Sequence, residues 1–106
     1  MAFVDNTPTG FMAWRAIAPS PQVAADAWEL KRLWVRPSGR GLGLGRALTE
    51  AVLDRAGTAK RKAVYLDTAP ASMAAAFRLY LDMGIIPCAP YNDNPVEGLA
   101  YLVKFF

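Results

Sequence analysis

The sequence predicts a single mixed α/β (α+β) domain over residues 1–106, with a mostly antiparallel sheet, one parallel strand pair and two packed helices. Three observations predict it. The segment "AWELKRLWV", Ala27 to Val35, alternates on the two-residue period of a strand, and the apolar period lengthens to that of a helix from Leu44 onward. A short apolar run of the buried-strand type, "AVYLDT" at Ala63 to Thr68, follows that helix, so strand, crossover helix and strand form one parallel pair. Turn-rich segments near both ends frame antiparallel hairpins.

The elements follow in order. Met1 to Val4 is a short apolar run closed by "DNTPTG", a turn signal built from Asp, Asn, Pro and Gly. Phe11 to Ile17 reads as the returning strand, and "APSPQVAAD" as a looser loop with two prolines. In the third strand Leu30, Arg32 and Trp34 share one face, and Glu29, Lys31, Leu33 and Val35 the other. Leu44, Ala47, Leu48, Ala51 and Val52 form one apolar helix stripe, with Gly57 as the expected stop. "KRK" at Lys60 to Lys62 is a solvated turn. Pro70 opens the second helix, Ser72 is a candidate cap, and Met73, Ala76, Phe77, Tyr80 and Met83 face inward up to Gly84. A short strand near Ile85, the loop "PCAPYNDNPVEG" and a last strand "LAYLVKFF" complete the order β-β-β-α-β-α-β-β, with no repeat and no interdomain linker.

Composition removes several function classes. Histidine is absent, which excludes histidine-based triads, histidine metal ligands and a histidine general base. Cys88 is the only cysteine, so no intrachain disulfide and no thiolate metal cluster can form; no metal is expected, and a lone thiol fits a reducing compartment. The net charge of +3 is too mild for a dedicated nucleic-acid binder but suits a small anionic ligand. The first ten residues lack the basic and apolar regions of a secretory signal, and no run approaches a membrane span, so a cytoplasmic location is the expectation.

The segment most suggestive of chemistry is "GRGLGLGR". Gly41, Gly43 and Gly45 leave backbone N–H groups uncovered just where a helix begins, and a helix start adds its unpaired N–H groups and positive dipole end. Together these cradle phosphate oxygens, with Arg40 and Arg46 on either side for charge-assisted contacts. A tight turn alone needs one such glycine, not three. A Walker loop requires G-K-[ST], which is missing, and the dinucleotide fingerprint requires glycine or alanine where Arg46 stands. The remaining scheme, R/Q-x-x-G-x-G/A, is met by Arg40, Gly43 and Gly45.

That pattern resembles the coenzyme A pyrophosphate loop of the GNAT superfamily of acyl-CoA N-acyltransferases. "ELKRLWVRP" is similar to the family's fourth strand, and "YLDTAPASMAAAFRLYLDMGI" to its fifth strand and fourth helix, with Ile85 where an aromatic residue is usual. The tail "PYNDNPVEGLAYLVKFF" resembles a bacterial subgroup with a P-Y-x-x-N-P-V loop. The resemblance covers about Gly10 to Phe106. Members usually begin with a strand and two helices before the second strand, whereas here Met1 to Val4 already looks like that second strand, so the chain reads as a shortened or truncated member. The resulting uncovered edge and apolar face imply a homodimer or a partner chain that completes the domain.

The resemblance implies direct acetyl transfer from acetyl-CoA to a primary amine, of a small molecule or a peptide, in a ternary complex. Tyr80 matches the family's general acid, which protonates the departing thiolate; its alternative is an aromatic residue on a buried helix face. Glu29 matches a strand position that often holds a base; its alternative is a solvated carboxylate paired with Lys31 or Arg32. Leu33 and Val35 match the backbone positions that meet the pantetheine arm on a strand that splays from its parallel neighbour, and Gly41, Leu42, Gly43, Leu44 and Gly45, with Arg40 and Arg46, match the pyrophosphate loop. Ser72 matches a pantetheine contact as well as it matches a helix cap. Lys60, Arg61 and Lys62 read as a solvated turn before they read as a site for the 3′-phosphate. Cys88 is expected to be a small buried residue without a catalytic part, and Trp28 and Trp34 core or interface residues. Two other classes remain open: a coenzyme A-binding module without catalysis, and a subunit completed by a partner chain.

Overall fold

In a computed structural model the described residues are 2–6, 10–35, 44–71, 74–92 and 98–106. They form six strands and two helices: β1 (Ala2–Asn6), β2 (Gly10–Ile17), β3 (Ala27–Val35), α1 (Leu44–Thr58), β4 (Ala63–Thr68), α2 (Ala74–Asp82), β5 (Ile86–Pro87) and β6 (Ala100–Phe105). One six-stranded sheet runs in the order β1-β2-β3-β4-β6-β5. Only β3 and β4 pair in parallel among these; β1–β2, β2–β3, β4–β6 and β5–β6 are antiparallel. The strand–helix–strand unit and the terminal hairpins therefore appear where the change of period puts them.

Both helices pack on one face of the sheet. Met12, Trp14, Leu30, Leu48, Val52, Leu66 and Leu102 form the core there, with Tyr80 and Ile85 from the α2 end. Trp28 lies against this core and its ring sits 5.5 Å from that of Trp14, while the Arg55 guanidinium stands over Trp14. The buried side of α1 is turned from the expected stripe. Ala47 is exposed, and Thr49, Leu53 and Ala56 join Leu48 and Val52 inside. Thr49 tolerates this because its hydroxyl donates to the Gly45 carbonyl at 2.7 Å, one turn back.

The helix ends share one device with different residues. At α2, the Ile85 N–H bonds the Tyr80 carbonyl and the Gly84 N–H that of Leu81, with Gly84 at φ +79 as its spacing predicts. At α1 the stop is not Gly57. Arg61 N–H bonds Ala56 and Lys60 N–H bonds Gly57, so Lys60, at φ 58, holds the left-handed position three residues later. Pro70 does not open α2 either: it lies in a turn, and the helix is described from Ala74. Ser72 and Met73 lie outside the described residues.

Candidate functional site

The parallel pair is cut short. β3 and β4 are in register from Ala27↔Ala63 to Leu30↔Leu66, and no further pair follows. β3 nevertheless continues to Val35, held on its other edge by β2 through Leu33↔Met12 and Val35↔Gly10. The break coincides with an irregularity: Ala13 pairs with Arg32 and Trp14 with Leu30, so Lys31 is an extra residue in β3. A bulge of this kind bends a strand and raises its twist, which separates β3 from β4 beyond Leu30. It also interrupts the strict two-residue alternation expected along Ala27–Val35. The outcome is a gap in the pairing at the C-terminal ends of two parallel strands, with Leu33 and Val35 of β3 and Asp67 and Thr68 of β4 beyond the last pair.

Glu29 sits two residues before the bulge, on the face away from the helices, and is 1% exposed. Of the alternative reading, a solvated carboxylate paired with Lys31 or Arg32, the solvation is overturned and the pairing with Lys31 is found, at 3.6 Å. Two partners were not legible in the sequence. Arg15, opposite Glu29 in the β2–β3 register, places Nε and Nη2 each 2.9 Å from Oε1. The Tyr91 hydroxyl donates to Oε2 at 2.8 Å. Both carboxylate oxygens are thus fixed, and Oε2, with one described donor, keeps the greater capacity to accept another bond. Burial first, then the bond to Glu29 and its charge, push the Tyr91 phenol far above its usual range, so it remains a donor.

The rest of this face is a polar and aromatic layer. Tyr65 and Tyr91 rings meet edge to face at 5.2 Å, and Tyr91 and Tyr101 at 5.4 Å. Asn92 donates to Asp67 Oδ2 at 3.0 Å and accepts from the Tyr101 hydroxyl at 3.0 Å. The backbone N–H of Ala24 bonds the Tyr65 hydroxyl, tying the loop before β3 to the layer. Cys88 is half-buried against these residues and its thiol is pushed up by burial, away from thiolate character.

Tyr80 lies elsewhere. It is 5% exposed in the core on the helix face, where burial pushes its phenol up to about 12. No hydrogen bond or ion pair links it to Glu29; Tyr80 belongs to the helix-face core, and Glu29 lies beside Tyr65 on the opposite face of the sheet. Arg40, Gly41, Leu42 and Gly43 lie outside the described residues, and Leu44, Gly45 and Arg46 form the first turn of α1. The Arg46 side chain is half exposed, with Nη1 3.6 Å from Glu50. It lines an open groove of about 440 Å³ with residues that include Asp82 and Lys104. Lys60 to Lys62 follow the opposite end of α1, ~22 Å from its start at ~1.5 Å per residue. That distance separates them from any anion held at the start of α1 and leaves them as the expected solvated turn, with Arg61 bonded to the Ala59 carbonyl.

An open sheet with one interrupted parallel pair and two helices on one face matches the acyl-CoA N-acyltransferase fold that the sequence resembles, and the comparisons agree. The model of the acetyltransferase (GNAT) family matches residues 1–85, and the chain belongs to that family. An uncharacterized N-acetyltransferase of Schizosaccharomyces pombe is 33% identical over 86 residues, covering 81% of this chain and 52% of that protein. A candidate acetyltransferase of Salmonella typhimurium, solved with acetyl-CoA, superposes with a TM-score of 0.72 at 20% identity, covering 92% of this chain and 57% of its own. A chain of the NatC complex bound to Gag peptide and CoA gives 0.76 at 20% identity, covering 95% and 63%. The chain thus spans about half the length of the curated relative it matches. Among the described residues no helix is long and apolar enough to cross a membrane.

Proposed function

We propose that the protein is an acetyl-CoA-dependent N-acetyltransferase that transfers acetyl directly to a primary amine, of a small molecule or a peptide, in a ternary complex. The observation that carries this reading is the β3–β4 gap: pairing ends at Leu30↔Leu66 while β3 runs on to Val35. Unpaired strand backbone accepts an extended amide-bearing chain as an added strand. Residues beside the gap fit such a guest, since the buried Thr68 hydroxyl ends β4 without a hydrogen-bond partner among the described residues. Leu33 and Val35 would meet the pantetheine arm, and Arg40 to Arg46, the segment that leads into α1 in the sequence, the pyrophosphate. Ser72 belongs to the same proposed site.

Bound acetyl-CoA supplies the acyl group as a thioester. A donor in the gap has Glu29 on one face of the sheet and Tyr80 on the other. Glu29 acts as the base, taking the amine's proton directly or through water at Oε2. Arg15 and Lys31 beside it disfavour a protonated amine, which favours the neutral nucleophile. Tyr80 stays protonated at neutral pH, and its hydroxyl donates toward the developing thiolate. Its phenol, raised to about 12, is a weaker acid than a thiol near ~8.5, so hydrogen bonding carries more of its role than complete proton transfer.

A homodimer or a completing partner chain belongs to the same proposal; light scattering that shows only monomer at high concentration contradicts the homodimer. A cytoplasmic location fits the single free thiol, Cys88. The test of the activity is amine-dependent thiol release from acetyl-CoA across a panel of small amines and peptide N-termini. Release with at least one amine supports the enzyme. Coenzyme A binding without turnover on any amine supports the non-catalytic module, or a subunit awaiting its partner. Absence of binding overturns both.

A further inference from the structure

Two buried threonines are treated differently by this fold. Thr49, 0% exposed, gives its hydroxyl to the Gly45 carbonyl. Thr68, 6% exposed, has Oγ1 shut away from solvent with no hydrogen-bond partner, the one such side-chain atom among the described residues. A buried hydroxyl without a partner forfeits its hydration and gains nothing in return, so native folds rarely keep one. Valine has nearly the same shape and no such cost.

The position of Thr68 gives the orphan a meaning. It ends β4, two residues past the last β3–β4 pair, while its backbone remains in register with Ala100 of β6. By strand alternation its side chain shares the face of Val64 and Leu66, both buried in the helix-face core, and so lies across the sheet from Glu29. It therefore stands at the mouth of the gap, opposite the unpaired run of β3. A hydroxyl both donates and accepts but carries no charge, so its chemistry suits a neutral amide or a thioester carbonyl better than a phosphate.

We propose that Thr68 is a ligand-binding residue of the gap, its hydroxyl bonding an amide of the acyl donor's pantetheine arm. This rests on the acyl-CoA reading of the gap. The hydroxyl goes unpartnered in the free chain and is satisfied by the bound donor, so the same atom weakens the free fold and strengthens the complex.

That double effect has a signature no purely structural threonine gives. In the full chain, Thr68→Val raises the melting temperature of the free protein by about 4 °C and weakens coenzyme A binding, read by titration calorimetry, by ~3–10-fold. Thr68→Ser keeps the affinity within ~2-fold by restoring the hydroxyl. If wild type binds coenzyme A and Thr68→Val binds it equally well, the proposal is overturned while the acyl-CoA reading stands. A fall in melting temperature for Thr68→Val overturns it too, because the hydroxyl is then a structural group. If wild type binds neither coenzyme A nor acetyl-CoA, the reading of the gap fails first and the proposal with it.

Discussion

The two faces of this sheet are built from the same strands and do opposite work. Toward the helices, Met12, Trp14, Leu30, Val64, Leu66 and Leu102 meet α1 and α2 in an apolar core. On the other face, the intervening residues Arg15, Glu29, Tyr65 and Asp67 meet loop residues Tyr91 and Asn92 in a hydrogen-bonded layer. A period of two makes the division possible, since outside the β3 bulge neighbouring residues on one strand face opposite ways. The difference teaches where each kind of damage goes: apolar packing lies on the helix face, and the proposed base, with its hydrogen-bonded partners, on the polar face.

The largest break in that comparison comes from the helix face. Leu66→Ala deletes a side chain 2% exposed and should cost ~2–5 kcal/mol in urea unfolding; a loss under ~1 kcal/mol would mean that the two faces are not distinct in this way. On the polar face, Glu29→Gln keeps shape and should leave coenzyme A affinity unchanged while turnover falls ~10²-fold or more. Turnover within a few-fold of wild type removes Glu29 from the chemistry. A third prediction uses pH. Burial pushes the Tyr80 phenol up to about 12 from its ordinary 10.0, so the folded chain keeps a proton that the unfolded chain releases. The corresponding stability is present in full below pH ~10 and is lost as pH rises toward ~12, about 2–3 kcal/mol in all. Tyr80→Phe should flatten that alkaline decline; the remainder belongs to Tyr91, whose phenol is raised in the same direction.

Smaller effects sharpen the contrast. Tyr91→Phe removes one hydrogen bond to Glu29 and should lower kcat ~3–10-fold with KM little changed. A rise in KM alone would assign Tyr91 to acceptor binding instead. Lys60→Gly relieves the left-handed position at the end of α1 and should stabilise the fold by ~0.5–1 kcal/mol without touching activity. Destabilisation by that change would contradict the role of Lys60 in the helix stop.

The bounds of β3 were legible because Ala27–Val35 reads on a two-residue period, although the bulge at Lys31 breaks it in the fold, and the end of α2 because Gly84 closes an apolar stripe. The crossover followed from order alone. The helix stop at Lys60 was not legible, since nothing in its residue type announces a left-handed conformation when a glycine stands three residues earlier. The α1 stripe was misjudged at Ala47 because alanine fits either environment, and at Thr49 because a polar residue bonded to its own helix counts as buried only once the bond is seen. In the site, Glu29 was found but its surroundings were not. Arg15 reaches it through cross-strand register, which a loop of irregular length between β2 and β3 conceals. Tyr91 reaches it from 62 residues away, with only the "PY" of its loop as a signal. Nothing in the sequence marks Thr68, because a threonine ending a strand is ordinary; what sets it apart is a hydrogen bond it does not make.

The central claim is that an acyl-CoA lies in the gap between β3 and β4. A nitrogen–proton correlation titration of the full chain with coenzyme A tests it directly. The account predicts the largest amide shifts at Lys31 to Val35, Asp67, Thr68 and the first turn of α1, with Ala2 to Asn6 of the outer β1 strand nearly still. Shifts confined to the groove beside Asp82 and Lys104, or none at saturating coenzyme A, would contradict it.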